Sequence, residues 1–278
     1  MRVAITGASG YVGTCISNAF RTHGHEVLAL SRRPCAAPWT SYALGNDPLL
    51  LPWENVDVLV HAAYDFSPRT WQEIVDGNVT PSVGLLKAAK EAKVGRLVFI
   101  SSMSSFEGCR SNYGKAKLMI EGEARQLGAV IIRPGLVWSE PSGGVMGTLE
   151  KLVAKLPMIP YLIGGTNLNQ FLIHEADLSE GIVAIAEALP AGAGTLHSVT
   201  HPDPVSLLAI LKSIAKRSNR RRLYVPIPWQ FVMTALKSIE ALGIPSLFRS
   251  DSLVGLVHGN PHFEISSPPA GIFYRPFR

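Results

Sequence analysis

Hydrophobic positions in the first half of the chain follow two alternating patterns. Short unbroken apolar runs, rich in Val, Ile and Leu, occupy 3–6, 27–30, 56–61, 97–101 and 129–133. Runs of this kind mark strands buried on both faces, since a half-exposed strand alternates apolar and polar residues. Between them, 13–22, 70–92 and 113–127 read as helices. Strands alternating with helices connect by right-handed crossovers, which predicts an α/β fold: a doubly wound parallel sheet covered on both faces.

The pattern loosens beyond Trp138. Pro and Gly cluster in SEPSGG, LPMIPYLIGG and ALPAGAG, and helices become shorter and less regular. The expected division is a sheet domain over 1–138, joined by part of 166–200, and a smaller lobe drawn mainly from 139–278. In that lobe, KRSNRRRLYVPIPWQFVMTALKSIEALGIPSLF joins a basic run to a largely apolar helix. The pairing suits an anionic membrane surface, but a core helix behind a solvated loop is the preferred expectation.

The first strand runs into Thr6-Gly7-Ala8-Ser9-Gly10-Tyr11-Val12-Gly13, which opens a helix. In that context Gly7 permits a tight turn, Gly10 lets backbone approach a pyrophosphate, and Gly13 allows close helix–strand packing. Free N–H groups at the helix start then face phosphate, so Ser9, Tyr11 and Val12 join the expected cofactor site. The second strand ends in Ser31-Arg32-Arg33, with no carboxylate to accept from both ribose hydroxyls of NAD. A hydroxyl and two guanidinium groups suit the 2′-phosphate of NADP, making NADP rather than NAD the expected cofactor.

Other strand ends bring chemistry to the same edge. VDVLVHAAY places His61, Ala62 and Ala63 beside the expected cofactor, followed by Tyr64. LVFISSMSS supplies hydroxyls, and Tyr113 and Lys117 in SNYGKAKLMIEGEA lie four apart, on one helix face. A free phenol titrates near about 10 and is a poor base at neutral pH. A neighbouring ammonium stabilises phenolate, so the expectation is a Tyr113 phenol lowered toward neutrality. Tyr113 then exchanges a proton with substrate oxygen while a serine orients that oxygen.

TGASGYVG, DVLVHAA, SS and YGKAK together resemble the short-chain dehydrogenase/reductase superfamily, a Rossmann-type fold. In detail they resemble its extended branch, the NAD(P)-dependent epimerase/dehydratase family. Asn78 in GNVTPSVGLLKAAK, IIRPG at 131–135 and FLIHEADLSEGI at 171–182 extend the likeness. The resemblance implies Tyr113 as acid/base, Lys117 as its activator and ribose ligand, and a serine as third member. It also implies that Asn78 braces the active-site helix and that backbone at Pro134-Gly135 approaches the nicotinamide. Met103 falls where many epimerases carry a catalytic Ser or Thr, leaving Ser102 as candidate and Ser104 as the weaker alternative. Met103-Ser104 replaces the Asp-Glu pair of dehydratases and disfavours sugar dehydration. Gln170 stands where epimerases often place an arginine for the substrate diphosphate. Arg249 resembles a second such arginine, and a plain surface charge is the equal alternative for it. Tyr64, Ser104 and Trp138 are further candidates for the substrate pocket.

Composition adds limits. The 278 residues are 47% hydrophobic and 17% charged, which fits a globular chain. Cys15, Cys35 and Cys109 form neither a CxxC pair nor a metal-ligand spacing, so no metal is expected and a reducing cytoplasm is. No secretory signal, nucleic-acid motif or stretch of about eighteen uncharged apolar residues is present. The net charge of +5 suits an anionic ligand. The expected activity is hydride transfer between nicotinamide and a carbinol or carbonyl carbon of a sugar nucleotide or related glycan precursor. The alternatives are NADPH-dependent reduction of a small ketone or aldehyde, and a non-catalytic NADP-binding regulator. The likeness implies a homodimer through the 70–92 and 113–127 helices.

Overall fold

A computed structural model describes residues 1–188, 190, 192–217, 222–244, 246, 248–260, 264–269 and 271–277. The chain runs β1 (Arg2–Thr6), α1 (Tyr11–Thr22), β2 (Glu26–Ser31), β3 (Trp39–Ser41), β4 (Val58–His61), α2 (Trp71–Ile74), α3 (Thr80–Glu91), β5 (Arg96–Ile100), α4 (Asn112–Gln126) and β6 (Val130–Pro134). It continues with β7 (Leu136–Trp138), α5 (Gly144–Lys155), β8 (Met158–Ile163), β9 (Asn169–Gln170), β10 (Leu172–His174) and α6 (Glu175–Ala188). Then come β11 (Leu196–Val199), β12 (Val205–Ser206), α7 (Leu207–Arg217), β13 (Leu223–Pro228), α8 (Trp229–Ala241) and α9 (Ser250–Val257).

One parallel sheet has the order β11-β6-β5-β4-β1-β2-β3. All five apolar runs lie in it. Two strands escaped the sequence pattern: β3, three residues at one edge, and β11, which arrives from the C-terminal half. Successive β1 residues feed opposite cores, as strand periodicity requires. Val3 and Ile5 pack with Ile16, Phe20, Ile182 and Val183 under α1 and α6. Ala4 joins Leu85, Leu86, Ile120 and Ala124 under α3 and α4. The chain leaves β1 toward β2 on one side and reaches β4 on the other. That reversal opens a crevice at the carboxyl ends of the strands.

The single helix expected over 70–92 is divided. Between α2 and α3, residues Val75–Val79 form a π-helical turn. Pro81 lacks the N–H that would continue the α-helical ladder, and widening by one residue absorbs the gap. The turn also buries Asn78 completely.

A third core belongs to the smaller lobe, where Met146, Leu149 and Val153 of α5 meet Ile210, Leu211 and Ile214 of α7. Trp138 is buried in this core, edge-on to His174 and Phe277, and does not line the cleft as expected. The expected core helix is also different: α8 buries no residue fully, and Phe231 remains 70% exposed. The adjoining basic run lies partly outside the described residues, at 218–221. Among the described residues, no helix is long and apolar enough to cross a membrane.

Beneath the carboxyl ends of β5 and β6 lies a charged network. Glu121, buried on α4, accepts from Arg133 Nε and Nη2 at 2.9 and 2.6 Å and from the Ser101 hydroxyl. Removing one partner of such a pair leaves the other charged and poorly solvated. Glu121→Gln is expected to cost about 3 kcal/mol of unfolding free energy, read from urea midpoints at unchanged slope. A loss below about 1 kcal/mol would show that Arg133 is not held by this carboxylate.

Candidate active site

The glycine loop folds against the end of β4. Gly7 has φ +70°, and a Cβ there would lie 2.9 Å from Ala63 Cα. A Cβ on Gly13 would lie 2.1 Å from the Gly7 carbonyl oxygen, so no side chain fits at that contact. The Thr6 hydroxyl fixes the facing segment by accepting from the amides of Ala62 and Ala63. No side chain caps the start of α1, and Gly7, Ser9, Gly10, Tyr11, Val12 and Gly13 all line the cleft. Uncapped amides at a positive helix end suit a phosphate.

The cleft encloses about 1540 Å³, more than the roughly 300–1,000 Å³ of a typical small-ligand site. Exposed Arg32 and Arg33 line it beyond β2. Ser31 departs from expectation as a donor to the ligand: its buried hydroxyl donates to the Arg33 carbonyl at 2.6 Å and accepts from Trp39 Nε1. It shapes the turn that presents the arginines. His61 departs too. It is fully buried, pairs with Thr6 Oγ1 at 2.7 Å and stacks on Phe99, so it supports the loop from behind. Burial, with Lys117 nearby, pushes its pKa down to about 3 and keeps the ring neutral. The glycine cradle, the uncapped helix and the two arginines together fit a phosphate-bearing dinucleotide.

Ser102, Tyr113 and Lys117 meet across the same cleft. Ser102 sits close enough to the Tyr113 phenol to favour its ionised form, whereas Ser104 lies nearer α9, beside Gly255. Lys117 is buried, with Nζ donating to the Ile100 carbonyl at 2.8 Å. That ammonium sits 4.7 Å from the Phe99 ring centroid, 5.1 Å from Tyr64 and 5.9 Å from Tyr113. Burial pushes its pKa down to about 7, opposed by the charge of Glu121. The Tyr113 phenol moves opposite to expectation, up to about 12, because burial outweighs the opposing influence of Ser102. Tyr64 and Phe66 enclose it, with ring centroids 4.9 and 5.7 Å away.

The loop over Tyr113 is tied from two sides. Asn78 accepts from the Asp65 amide at 2.7 Å and donates to the Asp65 carbonyl at 3.0 Å, so its side chain braces this loop rather than the active-site helix. Arg249 donates to the carbonyls of Phe66 and Pro68. Its guanidinium, expected as a diphosphate contact or a surface charge, is engaged by backbone. Gln170 lines the cleft and donates to the Leu256 carbonyl at 3.0 Å. Tyr64, Ser104 and Pro134 also line it.

Two residues of this arrangement were missed. Glu121 was readable, because Tyr113, Lys117 and Glu121 recur every fourth position along one face of α4. Asp251, which accepts from the amides of Asn112 and Tyr113, left no comparable signal, since its partners lie far back in the chain.

Comparison with known proteins agrees with this architecture. The 4-hydroxy-2-methyl-3-oxo-4-farnesyl-3,4-dihydroquinoline-1-oxide ketoreductase of Stigmatella aurantiaca is 26% identical over 274 residues, covering 87% of this chain and 80% of the relative. The ceramide reductase of Caulobacter vibrioides is 26% identical over 265 residues, covering 91% and 81%. Among solved structures, UDP-glucuronic acid 4-epimerase of Bacillus cereus in complex with NAD superimposes with a TM-score of 0.69 at 17% identity, covering 93% of this chain and 97% of that one. The model of one protein family matches residues 3–195. The chain belongs to that family, the NAD dependent epimerase/dehydratase family, and is an enzyme of the extended short-chain dehydrogenase/reductase type.

Proposed function

We propose that the protein is an NADP(H)-dependent oxidoreductase transferring hydride between nicotinamide and a carbinol or carbonyl carbon, with Ser102, Tyr113 and Lys117 as its catalytic residues. Residues 1–138, with α6 and β11, form its cofactor unit, and most of 139–278 forms its substrate lobe. The observation that carries the proposal is the meeting of Ser102, Tyr113 and buried Lys117 at the sheet edge where an uncapped helix faces the same cleft. A non-catalytic regulator would have no need of that trio.

Backbone at 7–13 and the exposed Arg32 and Arg33 would hold the phosphates of the cofactor, and Ala62, Ala63 and Pro134, which line the same cleft, would leave room for it. When bound, the nicotinamide supplies the hydride donor or acceptor. Tyr113 carries its proton at neutral pH, so it is set to protonate a substrate oxygen as the carbonyl is reduced. Ser102 orients that oxygen. Lys117, poised near neutrality, stabilises the phenolate left behind.

For substrate, we take a nucleotide sugar or related glycan precursor, in line with the fold likeness to UDP-sugar epimerases. Arg69, Arg110 and Lys237 in the cleft would suit its diphosphate. A second substrate class is favoured by α8 and the residues after it: Trp229, Met233, Ala241 and Ile244 face the cleft, and Phe231 and Leu242 extend apolar surface outside it. That surface suits an apolar ketone, the class that the names of the two reductase relatives suggest. A cytoplasmic homodimer through the helical segments at 70–92 and 113–127 completes the proposal.

Tyr113→Phe should lower turnover of UDP-glucose with NADP⁺, or of 2-dodecanone with NADPH, by about 10²–10⁴-fold, with NADP⁺ affinity nearly unchanged. Undiminished turnover would remove Tyr113 from the mechanism. Calorimetric titration should show NADP⁺ binding more tightly than NAD⁺. Arg32→Ala should weaken NADP⁺ by roughly 10–100-fold and spare NAD⁺, the loss of one charge-assisted hydrogen bond. A preference for NAD⁺ in the unaltered protein would contradict the assignment.

A further inference from the structure

Three consecutive residues at the start of α9 each grip a different part of the active site. Arg249 donates to the carbonyls of Phe66 and Pro68, in the loop that covers Tyr113. Ser250 donates through its amide and hydroxyl to the two carboxylate oxygens of Glu240 on α8, at 2.8 and 2.6 Å. Asp251 accepts from the amides of Asn112 and Tyr113, at 2.6 and 3.0 Å.

The first amides of a helix have no partner within it. In α4 the Ser111 hydroxyl satisfies only the Gly114 amide, at 3.1 Å. The two remaining amides, one belonging to Tyr113 itself, are taken by a carboxylate from the other lobe. The two helix ends at this cleft are therefore finished differently. No side chain caps α1, which stays open to an anionic ligand, whereas α4 is closed by the protein's own anion. A negative charge at that end also complements the helix dipole.

We propose that Asp251 is a positioning residue for Tyr113, and that residues 249–251 are the clasp through which the C-terminal lobe sets the phenol against Ser102. The proposal rests on Tyr113 being the proton-transfer group. A plain capping role would stabilise α4 without acting through the phenol. A positioning role makes turnover sensitive to small displacements, since about 1 Å of misplacement costs about 10²-fold.

The test combines amide hydrogen exchange on the full-length protein with kinetics, using UDP-glucose or 2-dodecanone, whichever the unaltered protein turns over. Asp251→Ala should accelerate exchange at Asn112 and Tyr113 by at least about tenfold and leave the centre of α4 protected. The same variant should lower kcat by about 10–100-fold at unchanged KM for the cofactor. Asp251→Asn, which keeps one carbonyl acceptor, should recover most of that loss, and it carries the comparison if the alanine variant does not fold. In a Tyr113→Phe background either change should cost less than about twofold, because the group it positions is gone. Unchanged exchange at Asn112 and Tyr113 would overturn the proposal, as would an equal kinetic loss in both backgrounds. Full turnover by Tyr113→Phe alone would instead refute the role of Tyr113, and the exchange result would still decide whether Asp251 holds the helix.

Discussion

A lysine ammonium buried at the carboxyl edge of a parallel sheet is costly unless its surroundings answer it. Here the Ile100 carbonyl accepts from Lys117, the rings of Phe99 and Tyr64 turn toward it, and Glu121 supplies opposite charge one helical turn away. These contacts leave the ammonium poised near neutrality instead of abolishing its charge. Much of the site is arranged around that group. Arg133 and Ser101 hold Glu121 below it, while the Tyr64 ring beside it also packs edge-on against Tyr113.

The enclosure explains why Tyr113 departs from simple expectation. A neighbouring ammonium favours phenolate only if the phenol does not also lose its water. In this fold it does, and burial wins, leaving a protonated phenol with Ser102 nearby. Such a phenol suits protonation of a carbonyl oxygen, the reductive direction, whichever substrate occupies the far side of the cleft.

Much of the fold was legible because buried parallel strands write themselves as continuous apolar runs. The five runs lie in the central sheet, and the glycine loop takes the tight backbone path its spacing implies. β3 and β11 were not legible: one is a three-residue edge strand, and the other pairs with β6 across more than sixty positions of chain. Ser102, Tyr113 and Lys117 were readable from local spacing. What the residues at 31, 61, 78 and 249 do was less so, because each commits a polar atom to backbone or a neighbouring side chain rather than to the open cleft. A motif identifies a residue type at an edge, but partners distant in sequence decide which way its hydrogen bonds run. Trp138 shows the same for apolar groups, since a large ring after a strand serves a core as readily as a pocket.

The starts of two helices at the cleft are finished in different ways. No side chain caps the start of α1, whereas Asp251 accepts from the first two amides of α4. The central claim is that hydride crosses at the edge where Tyr113 and Lys117 stand. Mass spectrometry of product formed with NADPH deuterated at nicotinamide C4 tests it most directly. The account predicts one deuterium on the former carbonyl carbon, delivered from a single face of the nicotinamide. Hydrogen from solvent at that carbon, with the label retained on the cofactor, would contradict it.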